Sequence, residues 1–322
     1  MKQKSIFITG IAGMIGFHTA KKYKELGWDV WGVDNFNDYY DVELKNDRAD
    51  ILEDIGVTVN DDDIRDIYDG FVGAMDTTDV ILHLAAYANP RHALEDPQPY
   101  IDTNITGTQE LIKLAEETNT PVVYASSSCV MHGQPLPWNE HDKGAHQNNP
   151  YGWSKYVNEC QFAHSNLDRT TGLRFFTVYG PYGRPDMALF KFTDAIVKGK
   201  PLTLYNYGDM KRDFTYVEDI VQGITLVVDE ITSNDNEYEG SKHEIYNIGY
   251  GQQVQLMDFV HAIENELDRK GEYELVPAHP ADTPETWSDT TKLQKLGYKP
   301  TTPINEGVRE FVAWYKEYYN VN

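Results

Sequence analysis

The chain has 322 residues, with 28 Lys and Arg against 51 Asp and Glu, for a formal net charge of −23. That balance argues against nucleic acid as a partner, because phosphate binding needs clustered cations. A content of 40% hydrophobic and 25% charged residues describes a folded globular chain, and no apolar run approaches the ~20 residues of a membrane helix. The opening MKQKSIFITG enters a strand pattern directly, without the apolar region and cleavage site of a signal peptide, so a cytoplasmic location and no membrane association are expected. Cys129 and Cys160 have no CxxC spacing, and the ten histidines show no HExxH pattern, so neither a disulfide nor a metal is expected.

Residues 5–9 (SIFIT) predict an apolar strand. Glycines follow at 10, 13 and 16, then an amphipathic helix from Met14 to Leu26, ended by Gly27. Strands are expected at Val30–Val33, Val57–Asn60, Val80–Leu84, Pro121–Ser126 and Thr171–Phe176, with helices over 98–118 and 150–167. This alternation predicts an α/β Rossmann fold, a doubly wound parallel sheet with helices on both faces. After Phe176, prolines at 181, 185 and 201 loosen the pattern, and helix-like segments recur at 186–198, 217–229, 255–270 and 304–319. The expected division is a Rossmann domain over 1–175, with 215–250 returning to it, and a smaller interleaved C-terminal substrate lobe over 176–322. Asn234–Gly240 (NDNEYEG) is expected to be a polar surface loop.

Gly10, Gly13 and Gly16 stand between a strand and a helix. Glycines there let the backbone approach a pyrophosphate, which the free N–H groups of the helix N-terminus attract. The spacing is GxxGxxG rather than GxGxxG, so context carries the inference. Met14 and Ile15 belong to the same turn. Asp34 closes the second strand, where a carboxylate would accept hydrogen bonds from the adenosine ribose and repel a 2′-phosphate; this favours NAD over NADP. Asn35 adjoins it. Asp63 and Ile64, past the third strand, are candidates for the adenine. Leu84, Ala85 and Ala86 end the fourth strand with side chains that let a cofactor lie close, and Asn104 is placed to brace the site.

Tyr151 and Lys155 are four apart on a helix and share a face. A free tyrosine, with a pKa of ~10, is a poor base at neutral pH, and an adjacent ammonium favours its phenolate. Lys155 is also placed to hold ribose hydroxyls. Ser126-Ser127-Ser128 end the fifth strand. Ser128 is the first choice to bind a reacting hydroxyl and relay its proton, with Ser127 next. The absence of a GxSxG elbow excludes a serine hydrolase.

These residues together resemble extended short-chain dehydrogenases that act on nucleotide sugars. DNFNDYYDVELK (34–45), GLRFFTVYGPYGRPDMALFKFT (172–193), YNYGDMKRDFTYVEDI (205–220) and PETWSDTTKLQKLGYKP (284–300) are similar to UDP-glucuronate 4-epimerases, and the similarity runs end to end. The resemblance implies NAD-dependent epimerisation at C4 through a 4-keto sugar. Tyr151 would take the O4 proton while hydride passes to NAD and back. Thr177 would lie beside the sugar and Arg184 near it or its carboxylate. Met187, Ala188 and Leu189 would line the uracil pocket, and Arg212 would pair with the diphosphate. Such local cations would admit an anionic substrate against the acidic field of the whole chain. A homodimer, packed through helices near 98–118 and 150–167, is also implied.

Oxidation at C4 of a uronate gives a β-keto acid prone to lose carbon dioxide, and Thr177 with Arg184 would suppress that loss. His132 departs from the family pattern, which has a tyrosine next to the following glycine. The polar loop Asn139–Asn149, Tyr87 and Pro90 depart as well. Alternatives left open are a UDP-glucuronate decarboxylase, a UDP-glucose or UDP-N-acetylglucosamine 4-epimerase, and a non-catalytic NAD sensor or scaffold. A 4,6-dehydratase fits less well, because Ser-Cys-Val stands where it needs an Asp-Glu pair.

Overall fold

Ser5–Thr9 (β1) is buried at every position, as expected of an apolar strand covered on both faces. In a computed structural model of the chain, which describes residues 3–144, 146–233 and 240–321, β1 lies inside a seven-stranded sheet. Ile6 stands opposite Val30 of Asp29–Asp34 (β2) on one side and Val80 of Val80–His83 (β4) on the other. Thr58–Asp61 (β3) extends the sheet beyond β2. Beyond β4 come Val122–Ser127 (β5), Thr170–Phe175 (β6) and His243–Ile248 (β7). All of these pairings are parallel. The order β7-β6-β5-β4-β1-β2-β3 reverses direction between β1 and β4, and such a switch point opens a crevice at the carboxyl ends of the strands. The Rossmann fold expected from the sequence is the fold observed.

Helices cover both faces. Met14–Glu25 (α1) and Val217–Ile231 (α6) pack on one, where Phe17, Ile220, Ile224 and Val228 join Ile6, Ile8 and Val30 in one core. Thr108–Thr118 (α3) and Pro150–Ala163 (α4) pack on the other, with Leu111, Leu114 and Phe162 against Phe7, Ile81 and Tyr124. The turns before α3, Tyr100–Gly107, are wider than α-helical. Pro150 starts α4 in the first turn, where no N–H is needed, and Gly152 N donates to the side-chain Oδ1 of Asn149 at 2.8 Å to cap it. A separate core joins Ala188–Val197 (α5), Leu256–Leu267 (α7) and Ile304–Tyr318 (α8) through Phe190, Phe259, Ile263 and Phe311.

Val42–Asp54 (α2) was not expected from the sequence. Its hydrophobic pattern is weak because it buries Lys45 and Arg48 beside Leu44 and Leu52. Asp41 caps it, accepting from Glu43 N at 3.0 Å. The polar loop expected over 234–240 lies, save for Gly240, outside the described residues. No helix among the described residues is long and apolar enough to cross a membrane.

Candidate active site

At the switch point the chain turns on Gly10, whose φ of +70° suits glycine. A Cβ there would lie 2.8 Å from Ala85 N, so the glycine allows β1 and β4 to close on each other. At Gly16 a Cβ would fall 2.3 Å from Gly10 O, which explains how tightly α1 packs on the turn. Gly13 begins α1 without a side-chain cap, and the first turn holds no acidic residue, so its N–H groups are left for an anion. Arg48, fully buried, donates to Ala12 O at 2.8 Å and to Tyr182 O at 2.5 Å, anchoring this turn to the other half of the molecule.

A cavity of about 770 Å³ runs from this turn into the C-terminal half. Gly10, Gly13, Met14, Ile15, Gly16, Asp34, Asn35, Ile64, Leu84, Ala85 and Ala86 all line it. Burial pushes the Asp34 carboxyl up, and the Lys45 ammonium pulls it back. Lys45, itself lining the cavity, donates to Asn37 O at 2.5 Å. A glycine turn that a Cβ would fill, an uncapped helix end and a carboxylate at the end of β2 together fit a dinucleotide cofactor without a 2′-phosphate.

Two residues of the expected cofactor set stand back from the cavity wall. The Asp63 carboxylate accepts from Arg65 Nε at 2.9 Å and from Asn35 at 2.8 Å; burial opposes its ionisation, but these bonds hold its pKa at about 2. Its neighbour Asp62 lines the cavity instead. Asn104 is fully buried, donates to Tyr87 O at 2.9 Å and accepts from Tyr87 N at 2.8 Å. It braces the segment after β4 from behind.

Tyr151 and Lys155 face the cavity from α4, beside Ser126, Ser127 and Ser128 at the end of β5. Burial pushes the Tyr151 phenol up, the nearby Cys129 thiol adds to this, and the neighbouring Ser127 hydroxyl opposes it. Ser127 and Ser128 both line the cavity beside Tyr151, and Ser127 also accepts from Cys129 N at 3.2 Å. Ser126 is committed elsewhere, donating to Glu159 at 2.7 Å within a buried ion pair that Glu159 makes with Arg174. Burial lowers the Lys155 ammonium to about 7.

Thr177, Arg184, Met187, Ala188 and Arg212 line the far end. Leu189 does not; its side chain is buried in the C-terminal core. Arg184 donates to both oxygens of Asp186, at 2.9 and 2.6 Å. Arg212 donates to Lys211 O at 3.0 Å and Pro284 O at 2.8 Å. Arg91, absent from the sequence-derived set, lines the same end; it grips Asp282 at 3.2 and 2.8 Å and lies 3.6 Å over the Tyr205 ring. Tyr39, Asn89, Asp186 and Lys191 also line the cavity and were missed. The signal for Asp186 was its position two residues after Arg184; NDYYD offered a similar hint for Tyr39.

Two of the departures noted in the sequence, His132 and the polar loop, meet the same segment. His132 shares a hydrogen bond of 2.9 Å with Thr283, and Asn148 donates to Ala281 O at 3.1 Å, so the polar loop docks on the 279–283 segment. Pro90 starts a short helix, Pro90–Glu95, that Asn89 caps.

Residues 6–249 match the model of the NAD dependent epimerase/dehydratase family. The chain is 41% identical to Protein CapI of Staphylococcus aureus, with 98% of this chain and 99% of the relative covered. It is 37% identical to a probable UDP-glucuronate 4-epimerase of Rhizobium meliloti, with 97% of each covered. A crystal structure of UDP-glucuronic acid 4-epimerase from Bacillus cereus, in complex with UDP-glucuronic acid and NAD, superposes with a TM-score of 0.89 at 28% identity, covering 98% of this chain and all of that one (100%). Family model, full-length relatives and a glycine-turn cavity holding Tyr151 and Lys155 agree: the chain belongs to the NAD dependent epimerase/dehydratase family.

Proposed function

We infer that the protein is an NAD-dependent UDP-glucuronate 4-epimerase, forming UDP-galacturonate by transient oxidation at C4 through a 4-keto intermediate. The observation that carries this is the convergence of Tyr151, Lys155 and Ser127 on one cavity with the glycine turn. Relatives of that name at 37% identity support the choice of sugar.

Gly10, Gly13, Met14, Ile15, Gly16, Asp34, Asn35, Ile64 and the Leu84–Ala86 segment would hold NAD. When bound, NAD supplies the acceptor and donor for the C4 hydrogen and a positive ring charge that favours the Tyr151 phenolate. Tyr151 takes the O4 proton as C4 is oxidised and returns it as C4 is reduced. Lys155, one helical turn away, offsets the phenolate charge in a buried setting where neither ion is well solvated alone. Ser127 holds the O4 hydroxyl against Tyr151. Arg212 and Arg91 are placed for the diphosphate, and Met187 and Ala188 for the base. Thr177 and Arg184 hold the sugar carboxylate out of the geometry in which its C–C bond breaks.

Residues 1–175 with 215–250 form the cofactor half in this reading, and most of 176–322 the sugar half; the separate apolar cores support the division. A homodimer in the cytoplasm completes the reading. Incubation with UDP-glucuronate tests the main claim by chromatography of the products. UDP-galacturonate is expected. UDP-xylose with released carbon dioxide would make the protein a decarboxylase, and turnover of UDP-glucose or UDP-N-acetylglucosamine alone would end the uronate claim.

A further inference from the structure

One cavity-lining carboxylate carries more hydrogen bonds than this mechanism uses. One Asp186 oxygen accepts from Arg184 Nε at 2.9 Å. The other accepts from an Arg184 terminal nitrogen at 2.6 Å, from Asn89 at 3.0 Å and from the Tyr39 hydroxyl at 3.2 Å. These donors come from separate parts of the chain. Tyr39 follows β2 on the cofactor side, Asn89 follows β4, and Arg184 lies in the loop leading to α5.

The pair is well shielded, with the Arg184 and Asp186 side chains 18% and 16% exposed. Arg184 also donates to Ala88 O at 3.2 Å, so three of its five N–H groups are committed. A forked, two-point contact fixes the plane of a guanidinium as well as its position. Without it, the long arginine side chain would have many rotamers to choose from. With it, the guanidinium meets an incoming sugar as an already neutralised pair and offers N–H groups in set directions rather than a bare charge.

We propose that Asp186 is a positioning residue: it sets which edge of Arg184 faces the sugar and, through Tyr39 and Asn89, ties that edge to the cofactor-side loops. The proposal rests on the reading above for the identity of the sugar. If Asp186 acts through Arg184, its loss changes the chemistry more than the affinity.

The test compares wild type, Asp186→Ala, Asp186→Asn, Tyr39→Phe, Arg184→Ala and the double variant Arg184→Ala/Asp186→Ala. It reads kcat and KM separately, the partition between UDP-galacturonate and UDP-pentose, and the thermal midpoint. Asp186→Ala is expected to lower kcat about tenfold, as misplacement of a positioning group does, and to raise the pentose share while KM moves little. Asp186→Asn and Tyr39→Phe are expected to fall in between. The double variant is expected to be no slower than Arg184→Ala, because the two residues act as one unit. Wild-type kcat and partition in Asp186→Ala would overturn the proposal, as would losses that multiply in the double variant. If Asp186→Ala does not fold, Asp186→Asn, which keeps the volume, decides by the same criteria. If wild type turns over only UDP-glucose or UDP-N-acetylglucosamine, the glucuronate reading falls, and the kcat and double-variant comparison then decides on Asp186 with that sugar.

Discussion

At the cofactor end of the cavity the wall is backbone and small side chains: Gly10, Gly13, Gly16, Ala85 and Ala86. At the sugar end it is long side chains, and three arginines among them already face partners. Arg184 holds Asp186, Arg91 holds Asp282, and Arg212 holds two carbonyls. The first end is shaped by what the chain can do without a Cβ; the second by which charges meet across the fold. A bare buried cation would be costly to keep dry, because it loses its hydration. Pairing solves this while leaving part of each guanidinium free for an anionic substrate.

Variants at the two ends, and at the centre between them, can break or sharpen this contrast. The largest effect is expected at the centre, where Tyr151→Phe should cost at least ~100-fold in kcat while bound NAD is retained. Near-normal turnover would remove Tyr151 from the chemistry. Next, Gly10→Ala strains a residue at φ +70° and drives a Cβ toward Ala85 N. It should weaken NAD binding ~10- to 100-fold, consistent with the few kcal/mol such strain costs, and NAD content after gel filtration reads it. Full NAD content would mean that the cradle tolerates a side chain. A smaller, selective effect is expected at β5. Ser127→Ala should slow turnover about tenfold, the worth of one hydrogen bond to a charged group, and Ser128→Ala should do much less. The reverse order would assign the role to Ser128 instead.

The smallest effect is on stability. Lys155 has a folded pKa of about 7 against 10.5 for a free lysine, because burial disfavours its charge. Below the folded value both states carry the proton and the burial cost is full. As pH rises from 7 toward 10.5, only the unfolded chain holds the proton and the cost fades, so stability from this group rises. In protein freed of NAD, denaturation between about pH 7 and about pH 9 should show a gain of about 1 kcal/mol per pH unit that Lys155→Met lacks. Equal slopes would mean that Lys155 stays charged in the fold.

The same contrast explains what could be read from the sequence. Strand and helix periods, the glycine turn and Asp34 are local patterns, so β1, α1, β2 and the cofactor wall were expected nearly as found. Strand boundaries shifted by a residue or so, as at Val80–His83, and the helix expected over 150–167 ends earlier, at Ala163. The α2 helix was missed because burying Lys45 and Arg48 erases the apolar stripe that periodicity detects. At the sugar end, Arg184, Arg212, Met187 and Ala188 came from the family resemblance, not from any pattern. Tyr39, Asn89 and Arg91 were missed because their partners lie 97 to 191 positions away. Leu189 was expected in the wall but is buried in the C-terminal core, since successive side chains on a helix point about 100° apart and Leu189 need not share the face of Ala188.

The place of α6 and β7 has a consequence for how the protein is made. The face of the sheet under the glycine turn is closed by Val217, Ile220, Ile224 and Val228, and the sheet's last strand is His243–Ile248. A ribosome must therefore release about three-quarters of the 322 residues before the N-terminal sheet can be completed. Until then Ile6, Ile8 and Phe17 lack much of their cover, and the nascent chain carries an open apolar face of the kind that chaperones recognise.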